Sequence, residues 1–195
     1  MIKTHEMLIQ ELSSYGAAAN KVMRMTHSGE LIPITRGVYE TDPAAPPVAL
    51  AASIYGPSYV SFEQALYRYG LIPERAVAIT SATFEKRRRK EFLNAFGRFT
   101  FQDVPSAVFP LGLCVEYEQD RPFRMASPEK AFCDQLYKAH PVGSMRGLRQ
   151  MLYEDWRMDE RGVCSLDCEI LLNFAPLYRK TNLRILCEAI RKGKL

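Results

Sequence analysis

Histidine is scarce in this chain of 195 residues, with three copies, and tryptophan scarcer still, with one. His5, His27 and His140 stand apart from one another, so the sequence shows no histidine cluster of the kind that holds a metal. The five cysteines, Cys114, Cys133, Cys164, Cys168 and Cys187, are odd in number and irregularly spaced, which is not the pattern of a disulfide framework. Cys164 and Cys168 form a C-x₃-C pair, but no second Cys or His pair stands at zinc spacing. No apolar run approaches the ~18 residues of a membrane span. The opening Met1-Ile2-Lys3-Thr4-His5-Glu6 leads into mixed polar sequence instead of the apolar stretch of a signal peptide. The expected location is a reducing cytoplasm, with free thiols serving as small core residues. Phosphate-cradling and hydrolase motifs are also missing: there is no P-loop, G-x-G-x-x-G, HExxH or G-x-S-x-G. No cofactor is therefore expected, and function is expected to rest on binding, not turnover.

An excess of one charge sign is nearly missing too. The formal net charge is +4, which permits a polyanionic partner without requiring one. Residues 1–42 carry four basic and five acidic side chains, and residues 43–178 are balanced. The excess sits in residues 179–195, where Arg179, Lys180, Arg184, Arg191, Lys192 and Lys194 face only Glu188. Cations near a helix C-terminus also complement its dipole, so this zone has a structural reading as well.

What the chain does contain is an ordinary globular composition, 47% hydrophobic and 25% charged. The length suits one domain, or one domain with a small satellite. Leu8, Leu12 and Tyr15 predict a helix over residues 4–15, and a second is expected from about residue 17 or 20 to Ser28, with Gly29 beyond its end. Leu31 to Ile34 and Val38-Tyr39, around Thr35-Arg36-Gly37, read as a hairpin. The Pro- and Ala-rich residues 41–47 read as a linker, giving domains 1–42 and 43–195. Further helices are expected after Pro46 or Pro47, after a capping box at Ser61 to Gln64, after Ser127-Pro128-Glu129, and after caps at Ser144, Ser165 and Thr181. Ala76 to Thr80, Phe99 to Val104 and parts of Val108 to Tyr117 read as strands. The expected class is α+β: an N-terminal winged-helix-like domain, then a larger mixed domain with a helical C-terminal part.

Helix, helix and hairpin within about forty residues is the minimal order of a winged helix. Lys21, Arg24 and Ser28 share one face of the second helix at i, i+3, i+7, with Val22 and Met25 on another. Thr35 and Arg36 occupy the hairpin turn. These five residues are the candidate DNA contacts, with the helix toward the major groove and the hairpin on the backbone or minor groove. Lys86-Arg87-Arg88-Arg89-Lys90 is the densest basic run. It reads either as a solvated loop or as a second polyanion surface. Glu116 and Glu118 share one face of a strand, the spacing of a paired-carboxylate site, which leaves a metal-dependent nuclease as a rival reading. A protein-interaction module without nucleic-acid binding is the other.

Residues 29–39, from Gly29 to Tyr39, 59–74, from Tyr59 to Glu74, and 126–134, from Ala126 to Asp134, together resemble the AbiEi antitoxin family. The residues from Gly29-Glu30-Leu31 through Arg36-Gly37-Val38-Tyr39 resemble its wing. The run from Tyr59-Val60-Ser61-Phe62-Glu63-Gln64 to Gly70-Leu71-Ile72-Pro73-Glu74 resembles its strand and capped helix. Ala126-Ser127-Pro128-Glu129-Lys130-Ala131-Phe132-Cys133-Asp134 resembles the start of its later helical part. The resemblance covers most of residues 17–138. It implies an N-terminal winged helix that binds operator DNA and represses its own operon. It also implies a C-terminal domain that counteracts a nucleotidyltransferase-like toxin, as in type IV toxin–antitoxin systems, without a stable complex. A homodimer is compatible with it. The chain departs from fuller members in that two helices, not three, precede the wing.

Overall fold

A computed structural model of the protein describes residues 1–193. It is a mixed α+β fold. The chain opens with a strand that the sequence did not announce, β1 (Ile2–Thr4). Thr4 then caps α1 (His5–Glu11), its hydroxyl accepting the Met7 N–H at 3.2 Å. The helix expected over 4–15 is thus shorter, because Ser13, Ser14 and Gly16 are poor helix formers and Tyr15 lies exposed. Helix α2 (Ala18–His27) falls where expected. Gly29 follows it at φ +81°, a left-handed conformation that glycine adopts without a Cβ penalty. Strands β2 (Ile32–Thr35) and β3 (Val38–Glu40) form the hairpin, and β1 adds to β3, giving the antiparallel order β1-β3-β2.

Leu8, Val22 and Leu31 are the buried centre of this N-terminal unit. Three such side chains contribute roughly 5–9 kcal/mol. Ordering some forty residues costs several times that, so the unit needs a second support. The six-stranded sheet of the body supplies it. Ile34 joins Ala45, Leu50, Ala51, Ile54, Phe99 and Phe101 in one buried cluster, with Ile2 and Val38 at its border. Residues 41–47 are correspondingly not a free linker. Asp42 accepts the Ala44 N–H at 2.9 Å, and Ala45 and Pro46 are buried. Helix α3 (Pro47–Ile54) follows, with Pro47 in its first turn as expected.

The large sheet runs β6-β7-β5-β4-β9-β8. Its strands are β4 (Tyr59–Val60), β5 (Ile79–Thr83), β6 (Lys90–Asn94), β7 (Gly97–Asp103), β8 (Leu113–Glu118) and β9 (Arg121–Ala126). The β5–β7 and β4–β9 pairs are parallel, the others antiparallel. Strand β5 starts three residues later than the Ala76–Thr80 run suggested, and Val77 is 92% exposed. Its polar Thr80, Ser81 and Thr83 are buried because the neighbouring strands and α4 (Phe62–Arg68) cover them, a tertiary effect that local hydrophobicity does not show.

Helix α5 (Pro128–Lys138) runs through the centre of the main core. Ser127 caps it, accepting the Lys130 N–H at 3.2 Å. Ser144 caps α6 (Met145–Gln150), which continues as a π turn over Met151–Asp155. Ser165 is not a helix start. It closes α7 (Glu160–Cys164), which Asp159 caps, and Asp167 caps α8 (Cys168–Phe174). The charged Asp167 carboxylate accepts from both Glu169 and Ile170 N–H groups, at 2.8 and 3.1 Å. A charged acceptor binds amide donors more strongly than a hydroxyl does. Cys164 and Cys168 consequently sit on two different helices. A 3₁₀ turn (Ala175–Tyr178) leads to α9 (Thr181–Arg191), in which Thr181 is the first helical residue, not the cap. Among the described residues no helix is long and apolar enough to cross a membrane.

Candidate nucleic-acid interface

The outward face of α2 carries the predicted cations. Val22 is buried and Met25 half-buried, so the helix packs by that side, while Arg24 is exposed. The Lys21 ammonium lies 5.8 Å from the Tyr15 ring centroid. Ser28 is committed locally: its hydroxyl is 2.7 Å from a Glu30 carboxylate oxygen and 3.1 Å from the Met25 carbonyl oxygen. Lys21 and Ser28 stand two turns apart, about 10 Å along the axis. Thr35 is half-buried, and Arg36 is exposed in the turn between β2 and β3. Gly37 (φ +74°) completes that turn, and its carbonyl accepts the His5 N–H at 2.7 Å. The turn is therefore fixed against the start of α1. Among the described residues, Lys21, Arg24 and Arg36 form no ion pair.

The basic run occupies the connection from β5 to β6, and Lys90 is the first residue of β6. Strand β6 touches the hairpin at its other end, where the Asn94 amide donates to the Ile34 carbonyl at 2.8 Å. Four residues of strand place the run about 13 Å away from that contact. The loop is shaped by its own backbone. Glu85 and Arg87 have φ of +57° and +58°, and Asp103 accepts both the Arg87 N–H and the Thr83 hydroxyl at 2.6 Å. Left-handed backbone in residues with side chains is strained, and here Asp103 holds it. The Lys86 ammonium packs 5.2 Å from the Tyr55 ring centroid. Arg87, Arg88 and Arg89 are exposed and form no ion pair among the described residues.

Glu116 and Glu118 do lie on the same strand, β8, but the Glu118 carboxylate is taken by the Arg68 guanidinium. Among the described residues no three His, Cys, Asp or Glu side chains gather as a metal site would require. The C-terminal basic zone lies on α9 and the turn before it. Lys194 is outside the described residues.

The most concentrated polar chemistry was not read from the sequence. Lys130 and Asp134, one turn apart on α5, are both fully buried and 2.6 Å apart. Asp134 also accepts the hydroxyls of Ser61 at 2.7 Å, Tyr59 at 3.0 Å and Tyr178 at 2.6 Å. The Lys130 ammonium reaches the Tyr178 hydroxyl at 2.7 Å and lies over the Tyr59 and Tyr178 rings. Burial lowers the Lys130 pKa, with Asp134 opposing it. Burial and the Asp134 charge raise those of Tyr59 and Tyr178. With every member shut off from solvent, this cluster ties α5 to β4 and to the turn before α9. The signal in the sequence is an i, i+4 Lys–Asp pair interleaved with the apolar Ala131, Phe132, Cys133 and Leu136.

The sequence matches no protein-family model and no curated protein. Among solved structures it is similar to the crystal structure of the Rv2827c protein from Mycobacterium tuberculosis. The TM-score is 0.51 at 14% identity, covering 92% of this chain and 71% of that one. The likeness is one of fold.

Proposed function

We propose that the protein is an antitoxin of the AbiEi type that also binds the operator DNA of its own operon and represses it. The observation that carries this reading is the exposed, unpaired pair Arg24 and Arg36. One stands on α2 and the other on the adjoining hairpin, in a unit of the order strand, helix, helix, hairpin. Unpaired arginines on such elements are suited to phosphates and base edges. The functional partner is a nucleotidyltransferase-like toxin encoded beside it, opposed without a stable complex. The Lys86–Lys90 loop is the second polyanion surface in this reading. The N-terminal unit is not basic as a whole, so DNA contact is confined to one face, and a homodimer would present two such faces to a two-fold operator. The test is a gel shift with DNA from upstream of the gene. Arg24→Ala with Arg36→Ala is expected to weaken binding and to lower the slope of log affinity against log salt by about 1.8, two contacts at ~0.9 each. Unchanged affinity and slope would remove this face from the interface.

A further inference from the structure

The C-terminal charge excess is not spread evenly along α9. Arg179, Lys180, Arg184 and Arg191 line one open cavity of about 490 Å³ together with Pro176 and Glu188. Arg184, Glu188 and Arg191 follow at i, i+4, i+7 and so form one stripe, while Leu183, Ile185 and Leu186 are buried in the main core. Glu188 is the one acidic side chain of the lining, and the Arg184 guanidinium occupies it at 2.6 Å. The Lys180 ammonium is seated 5.1 Å from the Tyr137 ring centroid, which fixes where it projects. Arg179 and Arg191 are exposed and form no ion pair among the described residues. Four cations, two on α9 and two on the turn before it, against one paired carboxylate leave a net charge of +3 beside about 15 Å of helix.

We propose that this cavity binds the phosphate backbone of a single nucleic-acid strand. Three of its four cations are arginines, whose planar forks match phosphate oxygens two at a time. Its length covers about four nucleotide rises of 3.4 Å. Of a strand lying along it, the cavity itself has room for little more than one nucleotide. The wall includes Pro176 and no aromatic ring, so contact is with the backbone, not with stacked bases. This surface is separate from α2 and the hairpin and does not depend on operator binding.

The test uses the full chain and a fluorescein-labelled single strand of mixed sequence, about 20 nucleotides long. Anisotropy is followed between about 50 and 200 mM salt. Arg179→Gln with Arg191→Gln is expected to weaken binding about tenfold at the low-salt end. It should flatten the salt slope by about 1.4, two contacts at ~0.7 each for a single strand. Arg179→Lys with Arg191→Lys, which keeps both charges, should retain the slope. The operator reading is tested separately, by its gel shift on duplex DNA, so failure of that reading and failure of this one are distinguishable. The changed side chains are exposed, and an unaltered thermal transition confirms the fold. A groove variant with wild-type affinity and slope overturns the proposal. So does displacement of the strand by polyglutamate as effective as by unlabelled oligonucleotide, which would make the groove a generic acid-binding surface.

Discussion

Arg121 and Glu40 are 81 residues apart and are joined by two hydrogen bonds, Nη1 to Oε2 at 2.7 Å and Nη2 to Oε1 at 3.3 Å. Arg121 belongs to the end of the large sheet and Glu40 to the end of the small one. The same guanidinium reaches Asp42 at 3.0 Å. With the shared cluster around Ile34 and Phe99, this clamp sets the orientation of α2 and the hairpin relative to the body. In the proposed function, a unit held in this way would present Arg24 and Arg36 in one fixed geometry, which favours register on a duplex over search by a tethered head.

The clamp makes the fold sensitive to acid. Burial alone would raise the Glu40 pKa, but Arg121, the chain's α-amino group and backbone N–H donation outweigh it and hold the group at about 2, against an ordinary 4.5. A depressed carboxylate contributes its full stability above 4.5 and loses it as pH falls toward 2. Thermal transitions measured across that window should fall more steeply for the wild type than for Glu40→Gln. Parallel curves would show that Glu40 does not carry the acid response.

Removing Arg121 tests the clamp from the other side. Arg121→Ala leaves the fully buried Glu40 carboxylate without its guanidinium and is expected to cost about 2 kcal/mol. The loss should be local. Hydrogen exchange should accelerate at the β1–β3 amides and remain slow in α5, whose helix lies in the other core cluster. Uniform acceleration through both sheets would show that the two parts unfold only as one unit.

The buried cluster on α5 has an internal order of importance. Asp134 serves four donors: the Lys130 ammonium and the hydroxyls of Ser61, Tyr59 and Tyr178. Asp134→Ala strips all four and leaves an uncompensated buried cation, a cost of about 3–5 kcal/mol. Lys130→Met removes the cation and leaves Asp134 with three hydroxyl donors, so it should cost clearly less in urea denaturation. The reverse order would make the ammonium, not the carboxylate, the hub.

What was legible in the sequence follows from how local its chemistry is. Ser127-Pro128-Glu129 announced α5 because cap, proline and first-turn acid act within four residues. The α2 helix, its Gly29 stop and the hairpin were readable for the same reason. Strand β1 was not, since its partners on β3 lie more than thirty residues on. Ser61 departs from the capping-box pattern. It stands at the N-cap of α4 as expected, yet its hydroxyl turns to Asp134, 73 residues away. Arg24, Arg36 and the Lys86–Lys90 run were visible as charges. That Arg179 to Arg191 line a single cavity required the turn before α9, which no periodicity reports.

Thr80 takes over the capping duty that Ser61 leaves. Its hydroxyl oxygen accepts the Gln64 N–H at 3.0 Å and donates to the Ser61 carbonyl at 2.5 Å. Thr80→Val keeps the shape and loses both bonds, at a cost of about 1–2 kcal/mol. Exchange of the Gln64 amide should quicken in Thr80→Val and stay slow in Ser61→Ala. The opposite result would restore Ser61 as the working cap.

The β5–β6 loop separates charge from scaffold, which makes it a clean target. Asp103 holds the loop through the Arg87 backbone N–H and the Thr83 hydroxyl, so none of the arginine side chains is needed for its shape. Reversing Arg87, Arg88 and Arg89 to Glu should therefore leave the thermal transition nearly unchanged. In the proposed function it should abolish rescue of growth when the protein is co-expressed with the adjacent toxin. Undiminished rescue would remove the loop from the antitoxin surface. Arg87→Gly is the companion variant. At φ +58° it relieves about 1 kcal/mol of backbone strain, partly offset by glycine's greater freedom in the unfolded chain. It deletes one cation while keeping the Asp103 bond. A partial loss of rescue with retained or improved stability would assign the effect to charge, whereas full rescue in Arg87→Gly and none in the triple variant would place it on Arg88 and Arg89.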